Sequence, residues 1–126
     1  MVTYLLDTMV LLWAVREPDR LPDKVKQLLA SEATLLLSVV SIWEVLVKSK
    51  RGGLTKVDSG WILKHVEDLT LSVLPLHKRH VVRMDSLPDH HKDPFDRMLI
   101  CQALEEGVPM ITCDAAIKQY PIAVIW

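Results

Sequence analysis

The sequence is poor in cysteine and in aromatic residues, and neither sign of charge is in excess. Its two cysteines have none of the spacings typical of zinc ligands, which excludes a zinc site and a disulfide framework and favours a reducing, cytoplasmic setting. Aromatic residues make up 6% of the chain, too few to predict a base-stacking platform for single-stranded nucleic acid. The 15 Lys and Arg and 16 Asp and Glu give a formal charge of −1, so no global positive field attracts nucleic acid, although a local basic patch is compatible with this balance.

Long apolar runs and low-complexity segments are absent as well. The longest stretch without Asp, Glu, Lys or Arg covers residues 33–43, far short of the roughly 20 apolar residues that cross a bilayer. Asp7 interrupts the apolar start of the chain, so we expect neither a signal peptide nor a membrane span. Since no repeat or linker divides the 126 residues, we expect a single domain over residues 1–126.

Short aliphatic runs alternate with helical patterns along the chain. The runs are nearly uninterrupted by polar residues, as in strands buried on both faces of a parallel sheet. They cover residues 2–6, 34–38, 71–74, 108–112 and 122–125. Helices are predicted over residues 9–16, 22–31, 42–50, 58–68, 77–84 and 94–106, the last of them closed by Gly107. This alternation predicts an α/β fold, a three-layer sandwich in which helices flank both faces of a central, mostly parallel sheet.

Five carboxylates fall where this architecture brings chain segments together. Asp7 ends the first strand, Glu44 lies one helical turn after the second, and Asp114 follows the fourth. In a parallel sheet these points share the edge at which open α/β folds bind ligands. Asp93 and Asp96 begin a helix that leads into the fourth strand, so the start of that helix lies at the same edge. The sequence therefore predicts a cluster of acids on one rim.

Crowded carboxylates repel one another and raise each other's pKa unless a positive charge lies among them. Oxygen ligands from Asp and Glu, without His or Cys, suit the hard ions Mg²⁺ and Mn²⁺. The chemistry that matches such a site is metal-assisted hydrolysis of a phosphodiester, in which the ion activates water and neutralises charge on the leaving oxygen.

Each acid also has a purely structural interpretation. The segment from Ser41 to Glu44 has the form of a capping box, and as a lone motif capping is the favoured interpretation of it. Asp93 is favoured as the N-cap of its helix, and Asp7 and Asp114 also precede helical segments that they would cap. Capping does not, however, predict that all of these acids converge on one rim.

Histidines and basic residues near these segments have plainer interpretations. His90 and His91 are adjacent and therefore point in different directions, so we expect them to be solvated loop residues outside the metal site. Lys48, Lys50 and Arg51 end a helix, where positive charge complements the helix dipole, and the same side chains are candidates for gripping phosphate.

Taken together, the motifs resemble those of the PIN-domain nucleases, and within them the VapC-type toxins of bacterial type II toxin-antitoxin pairs. The resemblance covers essentially the whole chain and lies in the order and spacing of its pieces. These are YLLDT at residues 4–8, Ser38 to Glu44 with Lys48 and Gly53-Leu54 after it, HKDPFDRMLI at residues 91–100, ITCD at residues 111–114, and the closing residues 120–126.

The resemblance implies a Mg²⁺- or Mn²⁺-dependent endoribonuclease. Asp7 and Asp96 match the principal metal ligands, and Glu44 and Asp114 complete the site directly or through water. Asp93 is an adjacent auxiliary acid, and Thr112 matches a small hydroxyl residue that often lines such sites.

The resemblance also implies partners. The family's members usually form homodimers and are neutralised by a small cognate antitoxin of the VapB type, which lays a segment across the active-site groove. The substrate is RNA, and its phosphates would contact Lys48, Lys50, Arg51 and Arg97 on the rim.

Three other functions compete with this interpretation. A response-regulator receiver needs an acidic pair after the first strand and a phosphoacceptor after the third, but here only Asp7 follows the first strand and Pro75-Leu76 follows the third. An aspartyl-nucleophile phosphatase needs two acids in D-x-D spacing at the first strand, and Asp7-Thr8-Met9 supplies one. The remaining alternative is a catalytically inactive module of the same fold that binds RNA or a protein partner. The presence of all four rim acids, Asp7, Glu44, Asp96 and Asp114, argues against this alternative.

Overall fold

In a computed structural model, which describes residues 2–52 and 57–126, the chain forms a five-stranded sheet and six α-helices. The strands are β1 (Thr3–Leu6), β2 (Thr34–Ser38), β3 (Ser72–Leu74), β4 (Met110–Ile111) and β5 (Val124–Ile125). The helices are α1 (Thr8–Arg16), α2 (Asp23–Leu29), α3 (Val39–Lys50), α4 (Ser59–Asp68), α5 (Lys78–Arg83) and α6 (Pro94–Glu106). Short 3₁₀ turns lie at Pro18–Arg20, Met84–Ser86 and Ile117–Gln119.

All strand pairs in the sheet are parallel, and the strand order is β3-β2-β1-β4-β5. The chain builds outward from β1 through β2 to β3 and then returns to the other side of β1 with β4 and β5. The order therefore reverses at β1, and the crevice between the carboxyl ends of β1 and β4 is the position at which such sheets bind ligands. The predicted parallel α/β fold is confirmed.

Successive strand residues pack into two separate cores, one on each face of the sheet. Leu6, Leu35 and Ile111 belong to the core formed with helices α1, α2 and α4. Their neighbours Leu5 and Met110 belong to the core formed with helix α6. Both faces are covered, which explains why the strands appear in the sequence as continuous apolar runs rather than as alternating ones.

Helix α3 begins three residues earlier than the sequence pattern predicts. Ser38, the last residue of β2, is its N-cap, and the Ser38 hydroxyl accepts a hydrogen bond from the amide of Val40. The predicted capping box at Ser41 and Glu44 is therefore wrong, because both residues lie inside the helix and are buried. Their side chains are free to take part in the site described below.

Helix α6 has the ends that its sequence predicts. Asp93 is the N-cap, and its Oδ1 accepts hydrogen bonds from the amides of Phe95 (2.8 Å) and Asp96 (3.2 Å). Pro94 takes the first helical position, where its missing N–H has no cost. Gly107 closes the helix with a φ of 65°, a left-handed conformation that glycine adopts without strain.

Most of the remaining elements are shorter than predicted by one or two residues at an end, whereas β2 has its predicted bounds and α1 begins one residue earlier than predicted, at Thr8. The predicted strand over residues 108–112 is reduced to Met110–Ile111, and the predicted helix over residues 22–31 to Asp23–Leu29, with Pro22 at the N-cap. Gly53 and Leu54, which form part of the family resemblance, lie outside the described residues. In the part of the chain that is described, none of the helices is long and apolar enough to cross a membrane.

Candidate active site

The crevice between β1 and β4 holds Asp7 and Asp114 at the carboxyl ends of the two strands. Asp7 takes the N-cap position of α1 but makes no side-chain capping bond, and its Oδ2 accepts a hydrogen bond of 2.7 Å from the Thr112 hydroxyl. The same hydroxyl oxygen accepts a hydrogen bond of 3.0 Å from the amide of Asp114. Asp114 Oδ1 in turn accepts from the amide of Ala116 at 2.8 Å, which fixes the turn after β4. Thr112 therefore ties the two acidic loops together.

Glu44 enters the crevice from helix α3 and is almost fully buried. Its Oε1 lies 2.6 Å from the Thr8 hydroxyl, which donates because a carboxylate only accepts. Thr8 Oγ1 also lies 2.8 Å from the Ser41 hydroxyl, one turn before Glu44 in the same helix. The other carboxylate oxygen, Oε2, forms an ion pair with Lys48, one turn after it. The Glu44 side chain is thus held at both oxygens.

The N-terminal end of helix α6 brings Asp93 and Asp96 to the same crevice. Asp93 uses Oδ1 to cap the helix, and its Oδ2 lies 3.8 Å from Lys48 Nζ. Asp96 is one turn into the helix, where the dipole favours a negative charge. The structural and functional interpretations of Asp93 are therefore compatible, because one carboxylate oxygen caps the helix and the other faces the crevice.

His91 belongs to this site, and the expectation that it is a solvated loop residue is wrong. Its Nε2 lies 2.8 Å from Asp114 Oδ2 and 3.3 Å from Asp96 Oδ2. Its Nδ1 accepts a hydrogen bond of 3.1 Å from the amide of Asp93. Because Nδ1 accepts, the proton of the neutral imidazole lies on Nε2, and His91 donates it toward the two carboxylates. His90, by contrast, has an exposed side chain and uses its backbone amide to bind the Tyr120 hydroxyl at 3.0 Å.

The described residues include two sets of three side chains whose ligand atoms lie within 4.8 Å of one another. One set is Glu44, Asp93 and Asp96, and the other is His91, Asp96 and Asp114. Asp96 is common to both sets. Asp7 is in neither of these two sets, although its charge is the largest one acting on Asp96.

The carboxyl groups at the centre of the crevice carry uncompensated negative charge. Burial raises the pKa of Asp96, and the charges of Asp7, Glu44 and Asp93 add to this, bringing it to about 7. Burial also raises the pKa of Asp7, as do the charges of Glu44 and Asp114, although the hydrogen bond from Thr112 opposes them. These shifts show that the crevice favours an additional positive charge. A divalent ion with oxygen ligands fits that requirement.

At the rim of the crevice, hydrogen bonds and opposite charges stabilise the charged forms of Asp114 and Lys48. Burial raises the pKa of Asp114, but the hydrogen bonds from His91 and from the amide of Ala116 outweigh it, so the pKa lies below its usual value. Burial lowers the pKa of Lys48, but the hydrogen bond to Glu44 and the charges of Glu44, Asp93 and Asp96 outweigh it and raise the pKa. Lys48 is therefore a stable ammonium.

The four predicted phosphate contacts divide into three kinds, and the first is Lys48, which pairs with Glu44 and Asp93 in the crevice. Lys50 and Arg51 are exposed at the end of α3, where they are accessible to the phosphates of a nucleic-acid backbone. Arg97 is instead engaged by the loop before α6: it donates to the carbonyls of residues 87, 88 and 91 and forms an ion pair of 3.1 Å with Asp89. This geometry favours a role for Arg97 in holding the loop that carries His91.

Comparison with known proteins decides the family. Residues 4–123 match the model of the PIN domain. The chain belongs to the PIN domain family. This PIN domain is 27% identical over 123 residues to ribonuclease VapC22 of Mycobacterium tuberculosis, an alignment that covers 95% of this chain and 93% of that protein.

The fold of the PIN domain is also found in solved toxin-antitoxin complexes. It aligns with a TM-score of 0.73 and 15% identity to a chain of VapBC2 from Rickettsia felis bound to a DNA fragment from their promoter, over 98% of both chains. It aligns with a TM-score of 0.65 to a toxin-antitoxin complex from Klebsiella pneumoniae, at 17% identity over 98% of this chain and 96% of that one. It aligns with the same TM-score to VapBC-1 from nontypeable Haemophilus influenzae, at 20% identity over 98% and 97% of the two chains. These likenesses establish the shared fold.

The sequence pattern does not identify the polar side chains that position the acids of this PIN domain. Ser41 is predicted only as a helix cap and Thr8 only as part of a motif, but both are buried against Glu44. The H-x-D spacing ahead of α6 is a signal for the local bond that His91 Nδ1 accepts from the Asp93 amide, but not for the contact of His91 with Asp114.

Proposed function

We propose that this PIN domain is a metal-dependent endoribonuclease, the toxin of a toxin-antitoxin pair, with its active site in the crevice between β1 and β4. One observation carries the proposal. Asp7, Glu44, Asp96 and Asp114 come from four separate segments of the chain and converge on one crevice, where burial and mutual repulsion raise the pKa of Asp7 and Asp96. Capping accounts for Asp93 but not for Asp7, whose side chain makes no capping bond, or for Glu44, which lies inside α3. The convergence of acids with raised pKa is instead typical of a functional site.

The residues of the crevice fit a divalent ion of the Mg²⁺ or Mn²⁺ class. Asp7, Glu44, Asp96 and Asp114 would hold it, directly or through water. When bound, such an ion supplies an activated water and charge neutralisation at a phosphodiester. The donor set contains carboxylate oxygens, which is the preference of these hard ions.

The chain's own side chains position these acids. Thr112 holds Asp7, and Thr8 holds Glu44, so each carboxylate has a fixed orientation in the crevice. His91 donates toward Asp114 and Asp96 and fixes their orientation from the rim, as hydrogen-bond partners of metal ligands commonly do. Lys50 and Arg51 are exposed at the end of α3 and would contact the phosphates of the RNA on either side of the cleaved bond.

The partner proposal rests on the named relatives together with the charge of the crevice. The relative from Mycobacterium tuberculosis is named a ribonuclease, and the solved complexes pair such folds with antitoxins. A VapB-like antitoxin would place a segment with a basic side chain across the acidic crevice, where excess negative charge favours it. We further propose that residues 1–126 are one domain, that the chain forms a homodimer, and that it acts in the cytoplasm.

The experiment that tests the nuclease is cleavage of a mixed RNA pool by purified protein. Wild type and Asp7→Asn are compared with Mn²⁺ and with EDTA, after circular dichroism has shown that both are folded. We expect cleavage by the wild type in Mn²⁺ alone. If folded, antitoxin-free wild type binds RNA without cleaving it under any metal condition, the alternative of a non-catalytic binding module replaces the nuclease.

A further inference from the structure

Lys48 places a permanent positive charge inside one of the two ligand sets of the crevice. Its ammonium contacts Glu44 Oε2 and lies 3.8 Å from Asp93 Oδ2, and these two acids form a ligand set with Asp96. Lys48 thus touches two of the three side chains that would otherwise surround a metal ion at that position. The charge of the third, Asp96, also acts on the ammonium.

The local fold keeps Lys48 in this place. Glu44 and Lys48 are one turn apart on α3 and therefore face the same side of the helix, with the acid on the N-terminal side, which is the favourable order for an ion pair. Thr8 fixes Glu44 at its other oxygen, and helix capping fixes Asp93. Both carboxylates that pair with the ammonium are thus held independently of Lys48, so the position of the positive charge is set by the scaffold.

On the opposite side of the crevice, a histidine rather than a lysine contacts the acids. His91 Nε2 lies 2.8 Å from Asp114 Oδ2 and 3.3 Å from Asp96 Oδ2, and its Nδ1 accepts the amide hydrogen of Asp93. Asp7 is held by the Thr112 hydroxyl, which carries no charge. The fixed ammonium of Lys48 therefore lies on the Glu44 side of the crevice.

We propose that the Lys48 ammonium takes the place of a second divalent ion, so that this active site binds one ion where the acids alone would accept two. The proposal rests on the proposed function, since it concerns the metal of that same site. Phosphodiester hydrolysis proceeds with one or two ions about 4 Å apart, and a second dication beside a fixed ammonium would be repelled at close range.

The proposal also assigns Lys48 a contact with substrate. An ammonium has three N–H donors, of which one is hydrogen-bonded to Glu44, while Asp93 Oδ2 lies at an ion-pair distance of 3.8 Å. The side chain is 41% exposed, so a further donor is accessible from solvent. This donor would bind a phosphate oxygen of the RNA beside the acids that would hold the ion.

The test is the number of Mn²⁺ ions bound, measured by isothermal titration calorimetry and by the loss of the free-ion signal in electron paramagnetic resonance. Four full-length proteins are compared: wild type, Lys48→Met, Lys48→Arg and Lys64→Met. Lys64 is the matched control, because it forms an ion pair at the same i,i+4 spacing with Asp68, at 3.0 Å, on the surface of α4. Thermal melts establish that each variant is folded.

We expect one Mn²⁺ per chain in wild type, Lys48→Arg and Lys64→Met, and two in Lys48→Met. Two ions in the wild type, or one ion in folded Lys48→Met, overturns the proposal. RNA cleavage by the same samples separates this failure from failure of the proposed function. If the wild type binds two ions and cleaves, only the role of Lys48 is wrong, whereas a wild type that binds no Mn²⁺ overturns both.

Discussion

The Thr112 hydroxyl donates a hydrogen bond of 2.7 Å to Asp7 Oδ2, across 105 residues of the chain. The parallel pairing of β1 with β4 makes this contact possible, because it places Leu6 beside Ile111 and so aligns the residues that follow. Thr112 is fully buried and accepts the amide of Asp114 with the same oxygen. One hydroxyl therefore joins the two strand ends that form the crevice.

Replacing Thr112 by valine removes this link while keeping the shape of the side chain. Thr112→Val leaves a buried carboxylate oxygen and an amide without their partner, so the free energy of unfolding should fall by about 1–3 kcal/mol. The pKa of Asp7 should rise further, because the hydrogen bond from Thr112 lowers it. Cleavage should fall roughly tenfold or more. Thr112→Ser keeps the hydroxyl and should retain most activity, and equal losses in the two variants would contradict this role.

Asp96 should make the metal-free protein less stable as the pH rises. Its pKa of about 7 in the folded chain is above the ordinary value of 3.8, so the folded state binds more protons than the unfolded state between these values. Stability then falls from about pH 4 to pH 7. Asp96→Asn should be more stable than wild type at pH 8 with EDTA, and the difference should shrink as the pH falls and vanish only below about pH 4, as measured by urea unfolding.

Saturating Mn²⁺ should make the wild type more stable than Asp96→Asn at pH 8, because an ion that binds only the folded wild type stabilises it by mass action. If Asp96→Asn is less stable than wild type at pH 8 in EDTA, the charge of Asp96 does not destabilise the metal-free protein.

His91 should affect metal affinity through its hydrogen bonds. His91→Ala removes the donor to Asp114 and Asp96 and should weaken Mn²⁺ binding by roughly 10- to 100-fold. His91→Gln keeps an N–H donor of similar reach and should recover much of that loss. Pulsed electron paramagnetic resonance of the Mn²⁺ complex should show no directly bound imidazole nitrogen, whereas a strong nitrogen coupling that disappears in His91→Gln would make His91 a ligand instead.

The lowered pKa of Glu106 predicts a pH dependence of stability opposite to that expected from Asp96. A hydrogen bond from His80, together with the charge of Arg79, lowers the pKa of Glu106 below 4.5. A depressed carboxyl pKa adds stability above 4.5 that is lost as the pH falls through the folded value. Glu106→Gln should therefore flatten the loss of stability between pH 5 and pH 3 in urea unfolding. Its cleavage activity should match that of wild type, since ten residues of helix, about 15 Å, separate Glu106 from Asp96.

The fold was largely predictable, because strands buried on both faces leave continuous aliphatic runs. The predicted start of α3 is wrong because its residues fit two kinds of local structure. Val39 and Val40 have strand-type side chains, and Ser41 to Glu44 has the form of a capping box, so the sequence places the start of α3 too late. The tertiary position of Ser38, buried at the end of β2, decides the cap instead.

The acids of the site were predictable from topology, whereas their supporting side chains were not. Asp7, Glu44, Asp96 and Asp114 stand at element ends that a parallel sheet brings together. Thr8 and His91 enter the site through contacts between elements, and neither contact follows from the spacing of residues along the chain. The partial engagement of Arg97 by carbonyls of the preceding loop is a further feature that depends on the folded path of that loop.

RNA cleavage by wild type and Asp96→Asn, measured side by side with Mn²⁺ and with EDTA, tests the proposed metal-dependent nuclease site. Asp96 is common to both ligand sets, so its amide variant should stay folded and lose activity in every metal condition. We expect the wild type to cleave RNA in Mn²⁺ but not in EDTA, and Asp96→Asn to cleave in neither. Cleavage by Asp96→Asn at the wild-type rate, or wild-type cleavage that EDTA leaves unchanged, would show that the acids of the crevice do not form a metal-dependent nuclease site.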